Sequence, residues 1–215
     1  CNAYLKQKYE FVSAIDGSTC QFNDQIYKKY INYTNSQNIK NRLSKGALGL
    51  LSSYYKILSA SVYKNYKRVL ILEDDVLIHH DFKSIIENNQ NIFDKYDIIY
   101  LGANQQTWDH VKYKKNGYIV YPDKYKWTYG TFAIILSRNI LIKLKEYLSS
   151  KEIWKQEWPI DCLINILAKK YNFSVFVFQP NLAIANLVES DTQNGRDMNE
   201  WSKKLRWDLN KYNTI

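Results

Sequence analysis

The chain has 215 residues, of which 46% are hydrophobic, and it carries 30 lysine and arginine residues against 21 aspartate and glutamate residues. A chain of this length can bury a full hydrophobic core, and its seven glycine and three proline residues exclude a collagenous or linker-rich protein. The net charge of +9 would suit nucleic acid or a phosphate-bearing ligand, but lysine is spread along the chain and no recognised nucleic-acid-binding motif is present. Nucleic acid is therefore not an expected partner, and no apolar run approaches the roughly 18 residues of a membrane span.

Strands and helices are predicted to alternate along the chain. Short apolar runs predict strands at 10–15, 68–72, 97–101, 118–121, 131–137 and 173–178. Helical spacing of apolar residues predicts helices at 44–65, 81–93, 138–148 and 159–169. This alternation indicates an α/β layered sheet, in which ligands bind beyond the carboxyl ends of the strands.

Three acidic residues, Glu73, Asp74 and Asp75, directly follow the apolar run 68–72, which is expected to be a strand buried on both faces. Glu73 and Asp75 are two residues apart and point to the same side of an extended chain. Because like charges repel each other, a hard divalent cation such as Mn²⁺ or Mg²⁺ would stabilise the pair and bridge it to ligand phosphates. The alternative is a solvated loop of acids. The cluster alone does not separate sugar-nucleotide transferases from phosphatases, nucleases or polymerases.

Two other segments could contact a phosphate. The segment 44–49 opens a helix whose free N–H groups could hold one, with Gly46 allowing close approach, although it is not a Walker sequence. A plain helix start explains the same residues. The polar segment 189–196, which contains Asp191 and Arg196, could fold over a diphosphate or be a surface loop.

Two segments could contact a sugar or an acceptor. Trp127 to Phe132 is an aromatic cluster around Gly130, typical of rings that stack on sugars or bases, or of core packing at a bulge. Asp161 lies in the first turn of an otherwise apolar helix. Favourable interaction with the helix dipole explains an acid there, but a carboxylate on a rigid element also makes a good general base.

Taken in order, these segments resemble glycosyltransferase family 25, which contains bacterial lipooligosaccharide galactosyltransferases and procollagen galactosyltransferases. The matching segments are 12–17, 45–49 with Ser52 and Ser53, 70–76, 97–102, 129–137, 159–161 and 190–192. The resemblance implies one GT-A-type nucleotide-binding domain over residues 1–215, with a central, mostly parallel sheet flanked by helices. It also implies metal-assisted transfer, with inversion, of a hexose or N-acetylhexosamine from a UDP-sugar to a glycan or to hydroxylysine of a collagen-like protein.

The resemblance assigns a role to each candidate residue. Glu73, Asp75 and Asp191 would hold Mn²⁺ or Mg²⁺, and Asp161 would be the base that deprotonates the acceptor hydroxyl. The UDP-sugar would be contacted by Asp16, Gly46, Glu73, Asp74, Gly130 and Arg196, with Asp74 facing the ribose or the donor sugar.

The sequence departs from the family pattern in two places. The family's usual first strand is expected to be missing, and Ser53-Tyr54 stands where members usually have Ser-His, so no role of that histidine transfers. A non-catalytic glycan- or nucleotide-binding module on the same fold is the alternative function, which the intact acid cluster disfavours.

Overall fold

The computed structural model describes residues 10–19, 22–121, 127–186 and 197–213. The strands are β1 (Arg68–Leu72), β2 (Val76–Ile78), β3 (Ile98–Asn104), β4 (Val111–Lys114), β5 (Gly117–Val120), β6 (Tyr129–Ser137), β7 (Val175–Phe178) and β8 (Ala183–Ala185). The α-helices are α1 (Lys28–Ser36), α2 (Lys45–Tyr63), α3 (Phe82–Glu87), α4 (Gln90–Lys95), α5 (Arg138–Ser150), α6 (Ile160–Tyr171) and α7 (Met198–Leu205). A π-helical turn at Phe22–Tyr27 precedes α1, and 3₁₀ turns lie at Ile153–Lys155 and Leu209–Lys211.

The predicted α/β architecture is confirmed, but the expected parallel character of the sheet is only partial. Six strands form one sheet in the order β1-β6-β3-β7-β5-β4, in which β3 and β7 are the only parallel neighbours among the described strands. β2 and β8 form a separate antiparallel pair. The direction was wrongly expected because an apolar run reports burial on both faces and carries no information on strand direction.

The six-stranded sheet separates two hydrophobic layers. Alternate residues of β3 point to opposite faces, so that Ile98 and Tyr100 pack with α2, α5 and α6, and Ile99 and Leu101 pack with the other layer. That second layer contains α3, α4, the β2–β8 pair and the C-terminal residues around Trp207. Helices and loops thus cover both faces of the sheet, as a layered α/β fold requires.

The segment 10–15, expected to be a strand, is not one. It runs beside α2, where the Ile15 N–H donates to the Ser53 hydroxyl at 2.8 Å and Lys56 Nζ donates to the Ser13 carbonyl at 2.9 Å. Its backbone groups therefore bond to helix side chains, and no neighbouring strand among the described residues pairs with it.

The strand predicted at 68–72 is confirmed as β1, but it is an edge strand of the described sheet. It pairs with β6, and Leu70 is 37% exposed, so the expected burial on both faces is wrong. The helix expected at 81–93 is divided into α3 and α4.

Among the described residues, no helix combines the length and the hydropathy needed to cross a bilayer.

Candidate active site

Glu73 directly follows β1 and bonds to the first residues of β6. The Glu73 N–H donates to the Phe132 carbonyl at 2.9 Å, which continues the β1–β6 pairing by one residue. The Thr131 hydroxyl donates to Glu73 Oε1 at 3.2 Å. Glu73 is therefore bound to β6 twice, through its backbone N–H and through its carboxyl group.

The pKa of the Glu73 carboxyl is raised within the acid cluster. Burial raises the pKa of the Glu73 carboxyl to about 7, and the charge of Asp75 is the next largest cause. Asp74, which is exposed, has a smaller effect on Glu73 than Asp75 has. Residues 74 and 75 form a turn after β1 and are not extended, so the expectation that Glu73 and Asp75 point to the same side stays a prediction.

Asp161 is held at the start of α6 by two backbone amides. The Cys162 N–H donates to Asp161 Oδ1 at 2.8 Å, and the Gly130 N–H donates to Oδ2 at 3.5 Å. Gly130 has φ of +84°, and a Cβ at this position would lie 2.7 Å from the Phe132 ring. Glycine is therefore required here for the backbone to approach Asp161.

Two buried tyrosines lie behind the carboxylates. Tyr54 of α2 is 1% exposed, and its hydroxyl donates to the Thr131 carbonyl at 3.1 Å. Burial raises the pKa of Tyr54, and the charges of Glu73 and Asp161 raise it further. Tyr100 of β3 is also buried near Asp161, and burial raises its pKa first and the Asp161 charge second. Both tyrosines therefore stay neutral hydroxyls next to the acids.

A buried polar network fixes the chain as it enters β6. Asn165 Nδ2 donates to the carbonyls of Thr128 and Asp161, each at 2.7 Å, and Asn165 Oδ1 accepts the Thr128 N–H at 3.1 Å. The Thr128 hydroxyl donates to Gln105 Oε1 at 3.0 Å, which ties the same segment to the end of β3. The positions of Gly130 and Asp161 are therefore set by one connected network.

The predicted aromatic cluster lies at the same place. The Trp127 ring is 6.3 Å from the Tyr129 ring and 6.0 Å from that of Trp158, measured between centroids. Trp158 is 41% exposed and is three residues before Asp161. Aromatic surface therefore borders the predicted base.

Asp16 and Gly46 lie together at the beginning of α2. Asp16 forms a local turn in which its carboxylate accepts from the Ser18 N–H at 2.7 Å and from the Ser18 hydroxyl at 2.8 Å, and these two bonds lower its pKa. Gly17 packs against the first turn of α2, where an added Cβ would lie 2.1 Å from the Lys45 carbonyl oxygen and 3.1 Å from the Gly46 nitrogen. The described contacts join these residues to α2 and do not include Glu73 or Asp161 as partners.

Two predicted site residues, Asp191 and Arg196, lie outside the described residues. The neighbouring described residue on the N-terminal side is Asn186, whose N–H donates to the Asp75 carbonyl at 3.1 Å. The chain therefore passes the acid cluster as it leaves β8.

The described residues supply two carboxylates for a divalent cation. No group of three or more His, Cys, Asp or Glu side chains suited to a metal occurs within the described ranges. Glu73 and Asp75 nevertheless fit a Mg²⁺ or Mn²⁺ ion, because such ions are commonly bound by one or two carboxylates together with substrate phosphates. The pKa of Glu73 is raised first by burial and then by the charge of Asp75, a repulsion that a bound cation would offset.

Several residues of the site were not predicted from the sequence. Tyr54, Thr131 and Asn165 contact the acids or fix their supports, and Trp158 extends the aromatic cluster. Tyr54 could have been noticed in the sequence as a site residue, because it stands where members of the family that the chain resembles usually have histidine.

A model of glycosyltransferase family 25 (LPS biosynthesis protein) matches residues 2–164 of the chain. No curated protein compared with the chain gives a significant match.

Proposed function

Because the chain belongs to glycosyltransferase family 25, we propose that it transfers a hexose or an N-acetylhexosamine from a UDP-sugar to a hydroxyl group of a glycan. A lipopolysaccharide or lipooligosaccharide glycan is the acceptor that the family's description favours. The transfer inverts the anomeric carbon and depends on Mn²⁺ or Mg²⁺.

The observation that carries the proposal is the arrangement of three carboxylates around the first residues of β6. Glu73, with Asp75 beside it, is bound through Thr131, and Asp161 is bound through the adjacent Gly130. An inverting transfer needs a general base and groups that hold a cation at the leaving diphosphate. We assign the first role to Asp161 and the second to Glu73 and Asp75.

Asp161 accepts the proton of the acceptor hydroxyl in this mechanism. As the O–H bond breaks, the acceptor oxygen forms a bond to the anomeric carbon, and the bond from that carbon to the UDP oxygen breaks with its electron pair leaving on UDP. The two amides on Asp161 fix the orientation of the carboxylate, and such a base contributes about 10²–10⁴-fold to the rate.

Glu73 and Asp75 would hold the divalent cation, which neutralises the charge of the diphosphate. Glu73 must release its proton to act as a ligand, so its raised pKa implies weaker cation binding below about pH 7.

The proposal is tested by measuring UDP release from UDP-glucose, UDP-galactose and UDP-N-acetylglucosamine, each with Mn²⁺ and with EDTA. We expect one donor to be turned over with Mn²⁺ and none with EDTA. Turnover that persists in EDTA would exclude the metal-dependent mechanism. Adding a glycan fragment or a hydroxylysine peptide to the active mixture then distinguishes the two acceptor classes.

Asp75→Asn is the variant that tests the cation site. We expect it to abolish transfer and to leave the circular dichroism spectrum unchanged, since it removes a charge and little volume. Asp94→Asn, at an exposed position of α4, is the matched control and should retain full activity. Activity of Asp75→Asn with Mn²⁺ would remove Asp75 from the cation site. If UDP binds to the wild-type protein and no donor is turned over, the binding-module alternative is favoured.

A further inference from the structure

Three aromatic side chains are grouped beside Asp161. The Trp127 and Trp158 rings meet edge to face, with an interplanar angle of 76° and centroids 6.0 Å apart. Trp127 also contacts Tyr129, at an angle of 54°. Trp158 is 41% exposed, whereas Trp127 and Tyr129 are half-buried. The group therefore presents aromatic surface to solvent while two of its members are anchored in the fold.

The segment that carries Trp158 is held in place on both sides. Lys151 Nζ pairs with Glu157 Oε1 at 3.0 Å, and the buried Gln156 donates to the Lys151 carbonyl at 3.4 Å. Pro159, the residue after Trp158, is the N-cap of α6 and fixes the backbone at that point. A side chain on such a segment loses little conformational freedom when a ligand packs on it.

The contacts at the start of β6 follow a fixed order. Thr128, next to Trp127, bonds to Asn165 and Gln105, Gly130 bonds to Asp161, and Thr131 bonds to Glu73. Asp161 therefore stands between the aromatic group and the acid pair along this strand. In an inverting displacement the acceptor approaches from the side opposite to the leaving diphosphate, and the base lies on the acceptor side. With the diphosphate held at Glu73 and Asp75, as the proposed function has it, the aromatic group lies on the acceptor side of Asp161.

The chemistry of the surface fits a sugar ring. A pyranose presents a face of C–H groups with partial positive charge, and the face of an indole ring is electronegative. We propose that Trp127 and Trp158 form the subsite that binds the pyranose ring carrying the acceptor hydroxyl. This inference rests on the proposed transfer reaction, and it adds to that reaction the residues that select the acceptor.

The first test measures sugar binding directly. The probes are the methyl glycosides of glucose, galactose and N-acetylglucosamine, observed by saturation-transfer NMR with UDP and the diamagnetic ion Mg²⁺ present. At least one probe should receive saturation on one ring face from the wild-type protein. Trp158→Leu should weaken its binding about tenfold, and Trp158→Phe should retain most of it because the aromatic face remains. Failure of all three probes to bind the wild type, or equal binding by Trp158→Leu, would overturn the subsite.

Tyr63→Leu is the matched control, since Tyr63 is 90% exposed at the end of α2 and its loss removes an aromatic surface elsewhere. It should leave probe binding unchanged. UDP affinity, measured on the same samples by calorimetry, should be unchanged in Trp158→Leu.

The outcomes separate this inference from the proposed function. A loss of UDP affinity in Trp158→Leu would assign the ring to the nucleotide and overturn the acceptor subsite, while transfer activity would still stand. If a methyl glycoside binds through Trp158 and no UDP-sugar is turned over, sugar binding at Trp158 stands, while the proposed transfer and the acceptor role of this sugar both fail.

Discussion

Asp161 is the residue whose role is most sharply testable, because its two oxygens accept from backbone N–H groups and the amide oxygen of an asparagine could still accept one of these bonds. Asp161→Asn should lower kcat about 10²–10⁴-fold and change UDP affinity less than about threefold, since the variant loses a proton acceptor and keeps the shape. Steady-state kinetics and UDP calorimetry measure the two effects. If UDP affinity falls and kcat is preserved, Asp161 contacts the donor and is not the base.

Glu73 makes the stability of the protein depend on pH. Its pKa in the folded chain is about 7, above the ordinary value of 4.5, so between these values the folded state keeps a proton that the unfolded state has lost. The free energy of unfolding should therefore fall as the pH rises from about 4.5 to 7. Glu73→Gln should remove this fall and be more stable than the wild type at pH 8, by about 1–3 kcal/mol.

Urea unfolding in EDTA at pH 5 and pH 8 measures this difference. Glu87→Gln is the control, because Glu87 is exposed on α3 and pairs only loosely with Lys83, at 3.8 Å. Its pH dependence should match that of the wild type. The same pH dependence in Glu73→Gln would show that another group is responsible.

The acids of the site could be predicted from the sequence, and their neighbours could not. Glu73 and Asp161 stand out because an acid next to an apolar run conflicts with its surroundings. Tyr54 is an ordinary helix residue that only tertiary packing brings to Thr131, and the contact of Trp158 with Trp127 likewise depends on tertiary packing. Gly130 was expected to approach a ligand, whereas in the described fold its N–H bonds to Asp161.

At the scale of elements, Asn165 joins α6 to the residue before β6 through two hydrogen bonds to Thr128, and a third bond to the Asp161 carbonyl lies within α6. Asn165→Ala leaves the buried amide and carbonyl of Thr128 without this partner, which should lower the free energy of unfolding by about 2–3 kcal/mol. It should also lower kcat, because Asp161 and Gly130 lose a common support. Asn139→Ala, at an exposed position of α5, should change neither quantity. Unfolding and activity assays on both variants decide whether the network is needed.

The elements were predictable where their pattern depends on neighbours in the chain. α2 and α6 show helical spacing, and the Ser44 hydroxyl caps α2, accepting from the Ala47 N–H at 3.1 Å. The strand prediction for residues 10–15 was wrong, because a strand forms only where a partner strand pairs with it. The sheet is less parallel than predicted, because β6 lies between β1 and β3 and is antiparallel to both. The residue composition of β6 does not indicate its direction.

At the scale of the whole molecule, the two hydrophobic layers share one sheet and should unfold together. Leu144 belongs to the layer with α2, α5 and α6, and Ile184 belongs to the layer with β8. Leu144→Ala and Ile184→Ala should each cost about 2–5 kcal/mol. Each variant should retain one transition that coincides by near- and far-ultraviolet circular dichroism. Leu70→Ala, at a 37% exposed position, should cost less than either. Two separate transitions would mean that the layers are independent.

The candidate site has one part inside the sheet, at the start of β6, and another part in the loop before α6. Gly130 and Thr131 hold the two acids from within the sheet, while Trp158 projects from a loop outside it. In descendants of this sequence, drift at position 158 leaves every hydrogen bond of the sheet intact, whereas drift at position 130 strains the backbone at once. If Trp158 binds the acceptor as proposed, natural variation should accumulate at position 158, and a lineage could acquire a new acceptor while Gly130 and Thr131 still hold Asp161 and Glu73.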